Sequence, residues 1–237
     1  MHLDLGTSFF YSKPVFALIA ERFWSTASLA FFAKIGAILI SIPVGVICAV
    51  YKDTWIDRSC SALAVLGICI PNFFLGPILV MVFALNLDWF PVSEKSDWQS
   101  YILPSLTLSL ALSAFLSRMT RNVMIEILSE NFIRTAHAKG VHPVVVVLKH
   151  GLRNALLPLS TILGLQFGVL LTGAIITEKI FDWPGLGGLM VEGIQNRDYP
   201  LVQGCVLVFA IIYITVNFST DLLNAVIDPR IRRGSNA

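Results

Sequence analysis

The apolar positions of this chain form long unbroken runs rather than stripes. A helix needs about 20 apolar residues to cross the roughly 30 Å hydrocarbon core of a bilayer. Five runs of about that length contain at most one charged residue each: 24–50, 59–87, 99–117, 154–177 and 199–220. None shows the polar stripe at a period of 3.6 residues that marks a helix of a water-soluble bundle. The pattern predicts an all-α membrane protein, a polytopic bundle of five transmembrane helices.

The composition supports this class. Hydrophobic residues make up 56% of the 237 positions and charged residues only 14%, whereas soluble domains carry about 25% charged residues. An ordinary soluble enzyme and a disordered chain are therefore excluded, and a net charge of +2 gives no support for a nucleic-acid partner. The four cysteines are scattered without a CxxC pair, so we expect buried hydrophobes and no metal site.

Basic residues predict the orientation, because cytoplasmic loops are enriched in Lys and Arg. The loops on one side of the membrane carry eleven Lys and Arg residues: Lys52, Arg58, Arg118, Arg121, Arg134, Lys139, Lys149, Arg153, Arg230, Arg232 and Arg233. The opposite side carries five: Lys13, Arg22, Lys95, Lys179 and Arg197. We therefore expect a periplasmic segment 1–23, a transmembrane domain 24–225 with a cytoplasmic loop 118–153, and a basic cytoplasmic tail 226–237. The N-terminus is then outside and the C-terminus inside a multi-pass inner-membrane protein.

The predicted outside loops contain aromatic and acidic residues. Trp89, Trp98, Trp183 and Tyr199 fit an aromatic belt at the outer interface. Loop 178–198 holds four acidic residues, Glu178, Asp182, Glu192 and Asp198, around a WPGLGG turn that predicts a short returning helix. Two interpretations stay open: a docking surface for another protein, or a packed re-entrant plug, which the apolar content of the loop favours.

Lys34 is the one charged residue within the five runs. Ionisable groups inside a membrane are candidates for function. We predict that Lys34 faces the bundle interior and lines a translocation path. The alternative is a lysine that is buried against helix dipoles or reaches polar neighbours such as Ser25 or Ser41.

Loop 118–153 carries the main functional signal. Ser129 lies in a region typical of a helix N-cap, and 132–139 then predicts two helical turns with Phe132, Ile133 and Ala136 on one face. Gly140 predicts the end of this helix, in a left-handed conformation. The spacing of the three loop histidines does not suit a metal site.

This loop resembles the EAA loop of ATP-binding-cassette importer permeases, with Arg134-Thr135-Ala136 in place of Glu-Ala-Ala and Gly140 as the glycine. Where the loop departs from the general pattern, its residues resemble the motif of one subfamily, the dipeptide, oligopeptide and nickel permeases. Five motifs of that subfamily occur in order: IRTAHAKG at 133–140, KHGLRNALLP at 149–158, TEKIFDWPGLGGL at 177–189, RDYPLVQG at 197–204 and DPRIR at 228–232.

The resemblance implies a type I importer permease fold and an inner-membrane permease subunit for dipeptides or oligopeptides. It also implies a coupling helix that seats in a separate ATPase, formed by Phe132, Ile133, Arg134, Thr135, Ala136, His137, Ala138, Lys139 and Gly140. The implied partners are ATP-binding subunits, a second permease subunit, a periplasmic or lipid-anchored solute-binding protein, and membrane lipid. No G-x-x-x-x-G-K-[ST] motif occurs in the chain, so we expect ATP and Mg²⁺ in the ATPase and no cofactor here.

Three alternatives remain at this stage. The first is a permease for nickel or another small solute, because related permeases share these motifs. Members of the subfamily typically have six spans and this chain opens in what corresponds to the first outside loop, so a truncated remnant without transport activity is a second alternative. An ion-coupled transporter would call for paired intramembrane carboxylates or an inverted repeat, and neither is evident.

Overall fold

The computed structural model of the chain describes residues 5–91 and 97–227, and this part is built of helices. In chain order they are α1 (Val15–Val50), α2 (Trp55–Cys69), α3 (Asn72–Leu79) continued by a π-helix (Val80–Asn86), a 3₁₀ turn (Trp98–Tyr101) leading into α4 (Ile102–Leu128), α5 (Asn131–Ala138), α6 (Pro143–Val145) continued by a π-helix (Val146–Leu152), α7 (Arg153–Ile180), α8 (Leu186–Gln195) and α9 (Tyr199–Ile227). The described residues contain no β-strand, only an isolated bridge between Thr7 and Pro14. The predicted all-α class is confirmed. The tail from residue 228 on, with its DPRIR motif, lies outside the described residues.

Three segments of the described chain are long and apolar enough to cross a membrane: Val15–Val50, Trp98–Leu128 and Tyr199–Leu222. A fourth counts if α2 and the helix Asn72–Asn86 form one broken span. The remaining predicted span, 154–177, coincides with the 28-residue helix α7. The predicted first span is longer than expected, because α1 begins at Val15 and continues unbroken for 36 residues.

The predicted span 59–87 contains a break, across which the two helices are bent by 101°. The helix ends at Cys69 and resumes at Asn72, with Pro71 at φ −69° and ψ 146°. A proline disfavours the α conformation in the residue before it and has no N–H to donate. The helix therefore breaks at Ile70 although the apolar run continues through it.

The chain divides into two compact units. Among the described residues, the first comprises 5–36, 70–91, 97–111 and 168–215, and the second comprises 37–69, 112–167 and 216–227. In the first unit one core cluster joins the start of α1 to α8 and α9, through Val15, Leu186, Leu189, Leu201 and Cys205 among others. In the second unit a cluster of Val46, Ala49, Met124, Ala155 and Leu159 joins α1, α4 and α7.

Gly45 allows close packing within the second unit. A Cβ placed on Gly45 of α1 would lie 2.5 Å from Cβ of Thr120 and 2.8 Å from the backbone oxygen of Ser117, both on α4. Small residues let membrane helices approach this closely. Glycine here is needed for space rather than for conformation.

Candidate functional site

The short helix α5 follows α4 directly and is amphipathic. It spans Asn131–Ala138, close to the predicted 132–139. Ile133 and Ala136 are buried and pack against Val146, with Leu128 and Val141 at the edge of the cluster. Phe132, which the sequence places on the same face as Ile133 and Ala136, has 43% of its surface exposed.

The N-terminus of α5 has no side-chain cap. Glu130 occupies the N-cap position without a capping hydrogen bond. Ser129, the residue expected near this position, donates its hydroxyl back to the Glu126 carbonyl at 2.6 Å. The start of α5 therefore depends on the burial of its apolar face rather than on a cap.

The C-terminus of α5 is closed by a Schellman motif. The N–H of Gly140 donates to the His137 carbonyl at 2.9 Å, and the N–H of Val141 donates to the Ala136 carbonyl at 3.2 Å. Gly140 has φ +76°, so the predicted left-handed conformation is confirmed. A Cβ at Gly140 would meet no atom within 4 Å. The requirement for glycine is therefore conformational and not steric.

The predicted coupling residues fall into two groups. Ile133 and Ala136 anchor the helix within the chain. The other seven are exposed: Phe132, Arg134, Thr135, His137, Ala138, Lys139 and Gly140. The exposed group combines an apolar ring, hydrogen-bonding groups and two cationic side chains, and these groups are available to contact another chain.

Lys34 lies near the middle of α1 and is half-buried. Helix α4 approaches α1 on both sides of this position: the hydroxyl of Ser109 donates to the Ala33 carbonyl at 2.9 Å, and a Cβ on Gly36 would lie 2.5 Å from Oγ of Ser109. The structure does not test whether Lys34 lines a path, and that role stays a prediction.

Loop 178–198 forms a packed element around α8. Glu178 and Asp198 are buried, with 1% and 0% exposure, so they do not belong to an acidic docking surface. Trp183 is buried too, at 3% exposure, and its indole N–H donates to the Ser25 carbonyl at 3.1 Å. Its assignment to an interfacial belt is therefore wrong, whereas Trp89, Trp98 and Tyr199 are exposed.

Asp198 is held by neutral donors. Its carboxylate accepts hydrogen bonds from the Ser8 hydroxyl at 2.5 Å and from the Phe10 N–H at 3.1 Å, and the Leu201 N–H lies 3.3 Å from its second oxygen. Burial opposes ionisation, but these hydrogen bonds outweigh it and lower the pKa of Asp198 below its ordinary value. Nearby, the hydroxyl of Tyr11 donates to Glu192 at 2.6 Å, and this bond raises the pKa of Tyr11.

The described residues hold no group of three or more His, Cys, Asp or Glu side chains arranged for a metal ion. All four cysteines are free thiols. Cys48 and Cys205 are buried as expected and Cys60 is half-buried, but Cys69 is exposed, so the expectation of buried cysteines is wrong at that position.

The sequence matches a known family over most of its length. The model of the family described as binding-protein-dependent transport system inner membrane component matches residues 41–233, a range that includes α5 and Gly140. The chain belongs to this family. It is an inner-membrane permease subunit of an ATP-binding-cassette importer.

Curated relatives include the glutathione transport system permease protein GsiC. The protein of Salmonella choleraesuis strain SC-B67 is 47% identical over 229 residues, which are 97% of this chain and 75% of that protein. The protein of Escherichia coli strain K12 is 46% identical with the same coverage.

Solved transporters share the fold. A chain of the inward-facing MetNI methionine ABC transporter aligns with a TM-score of 0.76 at 20% identity, over 89% of this chain and 96% of that chain. A chain of an amino acid ABC transporter crystallised with histidines aligns with a TM-score of 0.63 at 15% identity, over 90% and 94% of the two chains. The type I importer permease fold expected from the sequence is confirmed.

Proposed function

We propose that this permease forms part of the translocation path for dipeptides or oligopeptides and couples to a separate ATPase through α5. The observation that carries the coupling role is the construction of α5, with two side chains buried in its own chain and the others exposed. The peptide class is supported by the five ordered motifs and by relatives whose name assigns them glutathione, itself a short peptide.

The proposed assembly contains further chains. Two ATP-binding subunits bind and hydrolyse ATP with Mg²⁺, a second permease subunit completes the path, and a periplasmic or lipid-anchored solute-binding protein delivers the solute. This chain binds no cofactor and no nucleic acid, and lipid surrounds its apolar helices. The exposed apolar side chains along α1 and α9, such as Phe31, Leu39, Ile214 and Phe218, support contact with lipid.

We propose that α5 faces the cytoplasm and α8 the outside, with the N-terminus outside and the C-terminus inside. Thr135 on α5 and Asn196 after α8 are both exposed, so a cysteine at either site reports its side of the membrane. In a cysteine-free background, an impermeant maleimide should label Asn196→Cys in intact cells and Thr135→Cys only in inverted vesicles. The opposite pattern contradicts the orientation and the coupling role together.

The Schellman motif at Gly140 provides the test of coupling. Valine tolerates a left-handed φ poorly, at a cost of roughly 1–2 kcal/mol, while the space around the position is open. We expect Gly140→Val to unwind the C-terminal end of α5 and displace its exposed face, and to leave membrane insertion intact because the apolar runs are unchanged. ATPase co-purification and peptide uptake should both be lost.

Two matched variants separate backbone effects from side-chain effects. Gly140→Asn adds a side chain of similar size but tolerates the left-handed region, so it should keep the ATPase and most uptake. Arg134→Ala removes one exposed cation without moving the backbone and should be milder than Gly140→Val. If Gly140→Val keeps its ATPase partner and full uptake at normal membrane abundance, α5 is not the coupling element.

The solute class is tested in the purified assembly with its ATPase and binding protein reconstituted in liposomes. Glutathione and a dipeptide should each be assayed for ATP-dependent uptake, with Ni²⁺ as the alternative solute. Uptake of Ni²⁺ but of neither peptide overturns the peptide assignment. No uptake of any solute, with the ATPase still bound, contradicts the proposed transport function.

A further inference from the structure

The carboxylate of Glu178 accepts hydrogen bonds from two elements packed around it. Its Oε1 accepts from the Thr26 hydroxyl of α1 at 2.5 Å. Its Oε2 accepts from the backbone N–H groups of Gly187 and Gly188, in the first turn of α8, at 2.7 and 3.0 Å. Thr26 closes the arrangement, because its Oγ accepts the Leu186 N–H at 2.8 Å. Three N–H groups at the start of α8 are thus satisfied by one side chain of α7 and one of α1.

The glycines of the WPGLGG turn make this approach possible. A Cβ on Gly185 would lie 2.2 Å from Oε1 of Glu178, and one on Gly187 would lie 2.6 Å from the backbone Cα of Ile175 on α7. The first turn of α8 therefore lies directly on α7, with the carboxylate enclosed between them. Burial raises the pKa of Glu178 above its ordinary value, although the hydrogen bonds from Thr26 and from the N–H groups at the start of α8 and the positive charge of Arg22 all favour the ionised form.

The opposite end of α8 is fixed by a second carboxylate. Asp198 follows α8 and binds Ser8 and Phe10 of the segment that precedes α1. Beneath α8, the fully buried thiol-bearing residue Cys205 packs in one cluster with Leu186 and Leu189 of α8 and Val15 of α1. Any movement of α8 away from α1 would uncover Cys205.

We propose that Glu178 is a positioning residue for transport, which holds α8 on α1 and α7 as a fixed block throughout the cycle, so that solute passage does not require α8 to swing outward. The proposal rests on the transport function proposed above. Under this proposal Glu178 holds α8 in place during transport. A residue of a docking surface, or one that only fills space in a packed plug, would not have this role.

The native thiol of Cys205 supplies the test. The complete transporter is prepared with Cys48→Ala, Cys60→Ala and Cys69→Ser, so that Cys205 is its only thiol in this chain. The rate of labelling by a small maleimide is measured at rest and during ATP turnover with solute. We expect Cys205 to stay protected in both conditions, because α8 remains seated. If the labelling rate of Cys205 rises during turnover to that of a solvent-exposed cysteine, the proposal is overturned.

Variants of Glu178 test the carboxylate itself. Glu178→Ala removes all three acceptor bonds, and we expect Cys205 to label roughly tenfold faster or more, with uptake reduced about fivefold or more while the ATPase still co-purifies. Glu178→Gln keeps an oxygen for the two N–H groups and can donate its amide to Thr26, so it should rescue both readouts to within about twofold. Asp182→Asn, at an exposed acid of the same loop, is the matched control and should change neither.

Each outcome bears on the proposal. If Glu178→Ala exposes Cys205 but transports normally, the block is not needed for transport and the proposal is wrong. If Glu178→Ala does not accumulate, Thr26→Val is used instead. This variant removes the hydrogen bond to Glu178 and the one from the Leu186 N–H at nearly constant volume. It should show an intermediate rise in labelling, and the absence of that rise overturns the proposal. A wild-type assembly that transports no solute contradicts the proposed function instead. Even then, protection of Cys205 at rest and its exposure in Glu178→Ala would show that Glu178 holds α8 on α1 and α7.

Discussion

The Arg121 guanidinium of α4 binds the Asp57 carboxylate of α2 through two parallel hydrogen bonds. Nε lies 2.5 Å from Oδ1 and Nη2 lies 2.6 Å from Oδ2. The Asp57 side chain is 4% exposed and that of Arg121 is 23% exposed, and Asp57 also accepts the Asp53 N–H at 2.9 Å. This bidentate pair fastens the start of α2 to α4 within the second unit.

Removal of one partner of this pair should destabilise the protein strongly. Asp57→Ala leaves the guanidinium without its carboxylate partner. Breaking a fully buried pair costs about 3–5 kcal/mol, and we expect a smaller cost here because the Arg121 side chain is 23% exposed. Thermal unfolding in detergent should show a large drop for Asp57→Ala and a smaller drop for the double variant Asp57→Ala/Arg121→Ala. Arg118→Ala, at an exposed arginine of the same helix, is the control and should unfold like the wild type. Equal stability of Asp57→Ala and the wild type would show that the pair contributes nothing.

Gly45→Ala should destabilise the second unit by overpacking. The added methyl would overlap Thr120 and the Ser117 carbonyl, and overpacking of a tight site costs about 1–3 kcal/mol. Gly188→Ala is the matched control, because its Cβ would meet its nearest neighbour, the Trp183 carbonyl, at an ordinary 3.6 Å. Unfolding temperatures in detergent should fall for Gly45→Ala and stay close to wild type for Gly188→Ala; the reverse order would contradict the packing argument.

Asp198 should make stability depend on acid pH. Because its pKa is lower in the folded protein than the ordinary value of 3.8, its contribution is fully present above that value and is lost as pH falls through the folded pKa. Asp198→Asn should therefore be less stable than wild type near neutral pH, and the difference should shrink below pH 3.8. Melting curves of both proteins across acid pH measure this. A difference that stays constant down to the lowest pH would mean that the ionised form of Asp198 is not favoured by folding.

Lys34→Leu should reduce uptake without reducing membrane abundance. A lysine that faces lipid at this depth would raise the free energy of membrane insertion by roughly 2.5–3.5 kcal/mol. We therefore expect Lys34 to lie in the bundle interior. Lys34→Arg keeps the charge and should retain most uptake, and Ile35→Leu is a neutral control at the next position of α1. Normal uptake with higher expression of Lys34→Leu would mean that the lysine is only tolerated.

The sequence predicts those elements of the fold that are marked by a pattern of neighbouring residues. The apolar runs indicated the long helices, and the spacing from Ala136 to Gly140 indicated both α5 and its left-handed end. Pro71 lies within the apolar run 59–87 and marks the break through the backbone preference of the residue before proline, but the apolarity continues across it and does not show where the helix ends.

The partners of buried polar groups were not predictable from the sequence. Glu178 and Thr26 are separated by 152 positions, and Ser8 and Asp198 by 190. No local pattern distinguishes these two acids from exposed Asp182, so the acidic loop was equally compatible with a surface and with a packed plug. The same limit applies to Asp57 and Arg121, where only the bidentate geometry in the folded chain identifies the pair.

The small size of α5 has a consequence for the design of peptides that copy it. Eight residues form little more than two helical turns, and a helix of this length is marginal in water without tertiary support. In the permease, that support comes from Ile133 and Ala136 packed on Val146. A linear synthetic copy of α5 would lack this support and lose most of its helicity, so a peptide meant to test the proposed binding of α5 to the ATPase has to be stapled or carried on a scaffold that replaces this support.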